Sequence, residues 1–182
     1  MIDFAPFRNK ELTLPEMAKT ISKDELRAAG QASVEAMLAA VAGSDDADVV
    51  FVPVDQAATD DGETGWTIAH IIVHATAGSE EGAFTALEQA RGVPNHGQSR
   101  FETDWESVTT IEACRQRLRE SLRMRLASLD AWPDHPDLEI THEPYPTAGE
   151  QNAIARFSLG LAHEQGHLGQ LAAVVRQARA AR

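Results

Sequence analysis

Cysteine is almost missing from the chain. Cys114 stands alone among 182 residues, so no internal disulfide can hold the fold. That fits a reducing compartment, and its setting between Ala113 and Arg115 in a helical pattern reads as a structural or surface cysteine rather than a nucleophile. A basic excess is missing too. The formal charge of −12 argues against nucleic acid as a partner, because affinity there comes mainly from cations that displace phosphate counterions. No apolar run approaches the twenty or so residues that span a bilayer, so no membrane partner is expected. The opening residues Met1 to Phe7 lack the basic start and apolar stretch of a secretory signal, which makes the cytoplasm the expected location. Neither an internal repeat nor a low-complexity tract is present. Residues 1–182 are expected to form one domain.

What is present is uneven. Asp45, Asp46, Asp48, Asp55, Asp60, Asp61 and Glu63 crowd the first third, while Arg115, Arg117, Arg119, Arg123 and Arg125 crowd one later helix. Such blocks read first as solvated faces, and second, for the arginines, as holders of an acidic substrate.

Four long helices account for most of the rest. After an irregular lead-in over residues 1–21, with a turn of helix around Glu16 to Lys19, Ser22 and Glu25 form a capping box. The helix it opens carries Leu26, Ala29, Val34, Met37, Leu38 and Val41 and ends at Gly43 and Ser44. Residues 44–65 read as a packed loop around Val49-Val50-Phe51-Val52, since a lone strand would have no partner. A second helix starts at the Thr67 cap and runs to Arg91, where Gly92 and Pro94 stop it; Gly78 and Gly82 within it mark close approach by a neighbour. A loop over 92–108 carries Asn95, Gly97, Phe101 and Trp105. Thr109 and Glu112 then read as a capping box for a third helix with Leu118, Leu122, Leu126 and Leu129 on one side. A proline-rich loop over 133–148 leads to a fourth helix from Gly149 to Arg179. The expected fold is all-α, an antiparallel-type four-helix bundle with long connecting loops, the bundle spanning about 22–178.

The last helix contains His163-Glu164-Gln165-Gly166-His167. Two histidines four apart stand one turn apart on one face, where both imidazoles can reach one cation. On a helical wheel they fall at the margin of the arc held by Leu161, Leu168, Leu171 and Val174. Further histidines, His70 and His74, lie in the apolar start of the second helix, and either can supply a third ligand. His96, His135 and His142 fall in loops and read as ordinary surface residues. The spacing also matches the zinc-protease helix signature, whose glutamate is the general base. That signature requires a further ligand downstream, and the residues after His167 include neither histidine nor acid. A row of small residues, Ala155, Ala162, Gly166, Gly169 and Ala173, admits another helix closely, from within the bundle or from a second copy as a homodimer.

Trp66 followed eight residues later by His74, together with His163-x-x-x-His167-x-Gly169-Gln170-Leu171, resembles the DinB/YfiT superfamily of metal-binding four-helix bundles. The resemblance implies that His74, His163 and His167 ligate one divalent metal, zinc or nickel among others, with positions left open to water or substrate. His70 stays a competing or supporting candidate. Members of the family are linked to transfer or isomerisation with a low-molecular-weight thiol such as mycothiol or bacillithiol, and to hydrolysis with an activated water. The mycothiol-dependent maleylpyruvate isomerases in it carry an additional C-terminal domain, which this sequence is not expected to have. The resemblance therefore implies a metal-dependent thiol S-transferase or isomerase acting on a small-molecule substrate. A hydrolase and a non-catalytic, stress-associated metal-binding protein are the alternatives. Glu164 is the acidic candidate for proton transfer or for orienting a ligand, against being solvated or helping to hold its helix.

Overall fold

The computed structural model describes residues 2–60, 62–94, 103–146 and 148–182, with the side chains of Ala57 and Asp60 left aside. His96, Asp61, Asn95, Gly97 and Phe101 lie outside the described residues. The chain is all-helical, and the order is α1 (Ala5–Arg8), α2 (Leu14–Ala18), α3 (Lys23–Ala40), α4 (Asp46–Val49), α5 (Gln56–Asp60), α6 (Ile68–Ala90), α7 (Ile111–Asp130) and α8 (Ala153–Ala180). A 3-10 turn, Trp105–Ser107, precedes α7.

Local chemistry sets most of the boundaries. The Ser22 side chain accepts from the Glu25 amide and Glu25 accepts back from Ser22, the reciprocal box that starts α3. Thr67 caps α6 by accepting from the His70 amide at 3.2 Å. At the other end, Gly92 takes φ +77°, and the amides of Gly92 and Val93 turn back to the carbonyls of Gln89 and Glu88. This is the left-handed stop for which glycine is suited.

Several local expectations are corrected. The lead-in holds more helix than the one turn expected around Glu16 to Lys19: α1 precedes it, a Thr13–Glu16 capping box starts α2 at Leu14, and Phe4 and Leu14 are buried against one end of the bundle. The 44–65 segment holds two short helices, the first capped by Asp45; Val49 is buried while Val50 and Val52 are exposed. For α7 the cap is Thr110, not Thr109, because Asp46 reaches across to take the Ile111 amide at 2.8 Å and helps fix the start. α8 begins at the Asn152 cap rather than Gly149. Gly149 turns with φ +69°, and the backbone of Gln151 pairs with His142 before the helix can form.

The bundle is a square in which α6 packs on α8 and α7, and α3 packs on the same two. One apolar cluster joins Leu26 and Ala29 of α3 to Ala83–Ala90 of α6, Leu129 of α7 and Phe157 of α8. The other joins Val34 and Met37 to Ile68–Ala75, Leu118, Leu171 and Val174. The residue order in these clusters makes α6 and α8 antiparallel and α6 and α7 parallel, so the bundle is not antiparallel at every neighbouring pair. The parallel pair explains the long connection between α6 and α7.

Between the two clusters lies a polar layer. Arg125 of α7 and Glu164 of α8, on diagonally opposed helices, meet there at 2% and 0% side-chain exposure. Ser33, Thr76, Ser79, Ser121 and Ser158 are buried among the same helices. Burying such groups without partners is expensive, so helix positions that satisfy Arg125 and Glu164 together are strongly favoured.

α6 and α8 cross where side chains are smallest. Ser79 Oγ donates to the Gly160 carbonyl at 3.0 Å, and a Cβ on Gly160 would lie 2.9 Å from Ser79 Cα. A Cβ on Gly82 would lie 3.1 Å from the Arg156 carbonyl oxygen. The small-residue row behaves differently along its length. Ala155 and Ala162 are in the core, whereas Gly166 and Gly169 are exposed with nothing within 4 Å of a Cβ placed there. Among the described residues, no helix packs on that outer half.

Candidate metal centre

His74 lies on α6, and His163 and His167 lie one turn apart on α8. Because α6 and α8 are antiparallel and touch at Ser79 and Gly160, the three imidazoles converge just beyond the crossing. His163 Nε2 is 3.0 Å from His74 Nε2 and 3.1 Å from His167 Nε2. All three residues are half-buried. Among the described residues they form the one histidine, cysteine and carboxylate group whose ligand atoms lie within 4.8 Å of one another.

The donor set fits a cation. His167 Nδ1 donates to Gln170 Oε1 at 2.8 Å, which puts its ring proton on that nitrogen and leaves the Nε2 lone pair facing the cluster. His163 Nε2 approaches two ring nitrogens and can carry only one proton, so lone pairs oppose one another unless positive charge sits among them. Tetrahedral ligation at about 2.0–2.1 Å would set the nitrogens about 3.3–3.4 Å apart. The observed separations are a few tenths of an ångström shorter.

An aromatic wall backs the cluster. Trp66 meets His74 edge-on at 4.8 Å between centroids and lies parallel to His167 at 6.0 Å. His70 is stacked between Trp66 at 4.2 Å and Trp105 at 4.6 Å, so it belongs to the wall and is not among the three converging rings. Gly78 makes room for the site: a Cβ there would lie 3.1 Å from His163 Nδ1.

Glu164 points away from this chemistry. It is fully buried, and both its oxygens accept from Arg125, at 3.0 and 3.2 Å. The pair ties α8 to α7, and Glu164 is not a solvated side chain. The arginine block is likewise occupied. Arg117 pairs with Glu80 at 2.7 Å, Arg119 with Glu112 at 3.2 Å, and Arg123 with Glu120 at 2.5 Å, while Arg115 donates to the Ala42 carbonyl. Cys114 is buried, and burial pushes its thiol up to about 12.

Sequence reading missed the contributions of Gln170 and Trp105. Gln170 follows His167 by three residues, a helical neighbour position, so its role was within reach of spacing alone. The Trp105 stack on His70 joins a loop turn to α6 and has no local signal.

A helical bundle with three imidazole nitrogens converging from two antiparallel helices defines a class, the helical bundles with a histidine donor set able to hold a divalent metal. The profile of the DinB superfamily matches residues 29–171, and the chain belongs to that superfamily. Neither the curated proteins nor the solved structures returned a match. Among the described residues, no helix is long and apolar enough to cross a membrane.

Proposed function

We propose that the chain is a metal-dependent enzyme in which His74, His163 and His167 hold one divalent cation, zinc or nickel. The reaction proposed is S-transfer or isomerisation on a small-molecule substrate, with a low-molecular-weight thiol such as mycothiol or bacillithiol. The observation that carries this reading is the approach of three Nε2 atoms to 3.0 and 3.1 Å beside a small cavity. When bound, the cation would lower the pKa of a thiol or water placed at its open positions.

The residues around the site favour a thiol over water. No carboxylate belongs to the clustered ligand group: Glu164, beside His163 in sequence, is held by Arg125, and Glu81, which lines the adjoining cavity, stands 3.6 Å from Arg156. A thiol with an ordinary pKa near 8.5 needs far less help to ionise than water at 15.7. Gln170 orients His167, and Trp66 screens one side of the rings from solvent.

The test is metal content by mass spectrometry on the wild type and on His74→Ala, His163→Ala and His167→Ala, followed by cobalt substitution and thiol titration. Loss of metal in each variant, with cobalt bands that move toward sulfur ligation, is the expected result. Near one metal per chain persisting in the variants would refute the site. Binding that needs all three histidines but ignores thiols would move the reading to a hydrolase or to a metal that only stabilises the bundle.

A further inference from the structure

Next to His163, between α6 and α8 and under Pro144 and Tyr145, lies a cavity of about 190 Å³ whose lining includes Gly78, Glu81 and Arg156. At about 30 Å³ per water it has the volume of roughly six waters, the scale of a small metabolite. Arg156 is the only charged residue in the first ten of α8. Its side chain is 8% exposed, and its ion partner Glu81 stands 3.6 Å away, beyond hydrogen-bond reach. The Arg156 Nε makes no hydrogen bond among the described residues. Burial pushes the guanidinium pKa down from its usual value, yet arginine keeps its charge in proteins. A buried, loosely paired guanidinium facing a cavity is a group still lacking its full complement of acceptors.

Arg156 precedes His163 by seven residues, so the two lie on one face of α8, about 10.5 Å apart along its axis. We propose that the cavity is a carboxylate subsite in which Arg156 receives the carboxylate of a small monoanion and directs its far end toward the three-histidine cluster. Its orienting role rests on the metal reading above; binding of the anion does not. Glu81 sets the charge class. Its carboxylate beside Arg156 repels a dianion more than a monoanion, which selects a monocarboxylate over phosphate.

The test is calorimetric titration of metal-free and cobalt-loaded protein with butyrate, butyramide and inorganic phosphate. Butyrate is expected to bind at least tenfold more tightly than either of the others. Arg156→Gln should weaken butyrate at least tenfold in both forms. Glu81→Gln should tighten it severalfold, a gain that a damaged fold would not produce. In the cobalt form, the butyrate methyl protons should relax faster than those of the methylene next to the carboxylate. Equal binding of butyramide or phosphate, indifference to Arg156→Gln, weaker binding in Glu81→Gln, or the reverse relaxation order each overturns the proposal. If cobalt does not bind but butyrate still depends on Arg156, the metal reading fails and the anion site stands. If cobalt responds to thiols while butyrate ignores Arg156, the anion site alone fails.

Discussion

Glu164 and Arg125 join opposite corners of the bundle through two hydrogen bonds of 3.0 and 3.2 Å, although Glu164 is the immediate neighbour of His163. Consecutive helix residues point about 100° apart, so one faces the cluster while the other faces the bundle axis. Glu164→Gln leaves Arg125 buried without its counter-charge and should cost about 3–5 kcal/mol, read by urea unfolding. Metal content of the folded variant should stay at the wild-type level. Lost metal with unchanged stability would show that the carboxylate serves the cluster instead.

Gly78→Ala separates stability from site geometry. Replacing a mid-helix glycine should gain up to about 1 kcal/mol of helix stability. The new methyl, however, would press on His163 Nδ1 from 3.1 Å and displace its ring. Metal affinity, measured by chelator competition, should fall about 10-fold or more while the melting temperature of the metal-free protein does not fall. Gly166→Ala, with nothing within 4 Å, is the control and should leave affinity unchanged.

His70 and His74 are one turn apart but should behave oppositely. His74→Ala should abolish stoichiometric metal, whereas His70→Ala should retain near one metal per chain because its ring lies between Trp66 and Trp105. Retention by His74→Ala and loss by His70→Ala would reverse the ligand assignment. Removing metal from the wild type with a chelator should lower the melting temperature, since a ligand bound only by the folded state stabilises it by mass action.

Cys114 should be silent to a thiol reagent at pH 8 in the native protein and titrate as one thiol after unfolding. With the folded thiol pushed up to about 12 and an ordinary value near 9 in the unfolded chain, the sign is fixed. The thiol contributes fully below pH 9, and that contribution is lost as pH rises toward 12, because only the unfolded chain ionises there. The slope is at most about 1.4 kcal/mol per pH unit. Cys114→Ala should flatten the alkaline fall in stability, and an unchanged slope would assign that fall to other groups.

The parts of this architecture that were legible in sequence are those written locally. Ser22 with Glu25, Thr67, and the i, i+4 pair His163 and His167 each act within one turn, and each stands where spacing places it. Gly78 and Gly82 do mark close approach. The errors arise where a distant segment competes for a local group. Asp46 takes the Ile111 amide, and His142 pairs with Gln151 ahead of α8. Arg125 and Glu164 read as surface charge and an acid–base candidate because their meeting depends on how α7 and α8 are set against each other, which neither segment encodes alone. A lone arginine in the apolar start of α8 was a usable signal for the cavity beside His163.

In the proposed metal site, the glycine crossing of α6 and α8 would also act as a gauge of ionic radius. An ion shared by His74 and His163, as proposed, would be gripped by two helices whose backbones already touch one turn away, at Ser79 and Gly160. Small cations that accept nitrogen at about 2.0–2.1 Å fit with little movement. A calcium-sized ion, which needs about 2.3–2.6 Å and prefers oxygen, would have to lever the helices apart about that contact. Discrimination by size would then reside in main-chain contact and survive changes in the side chains around the metal.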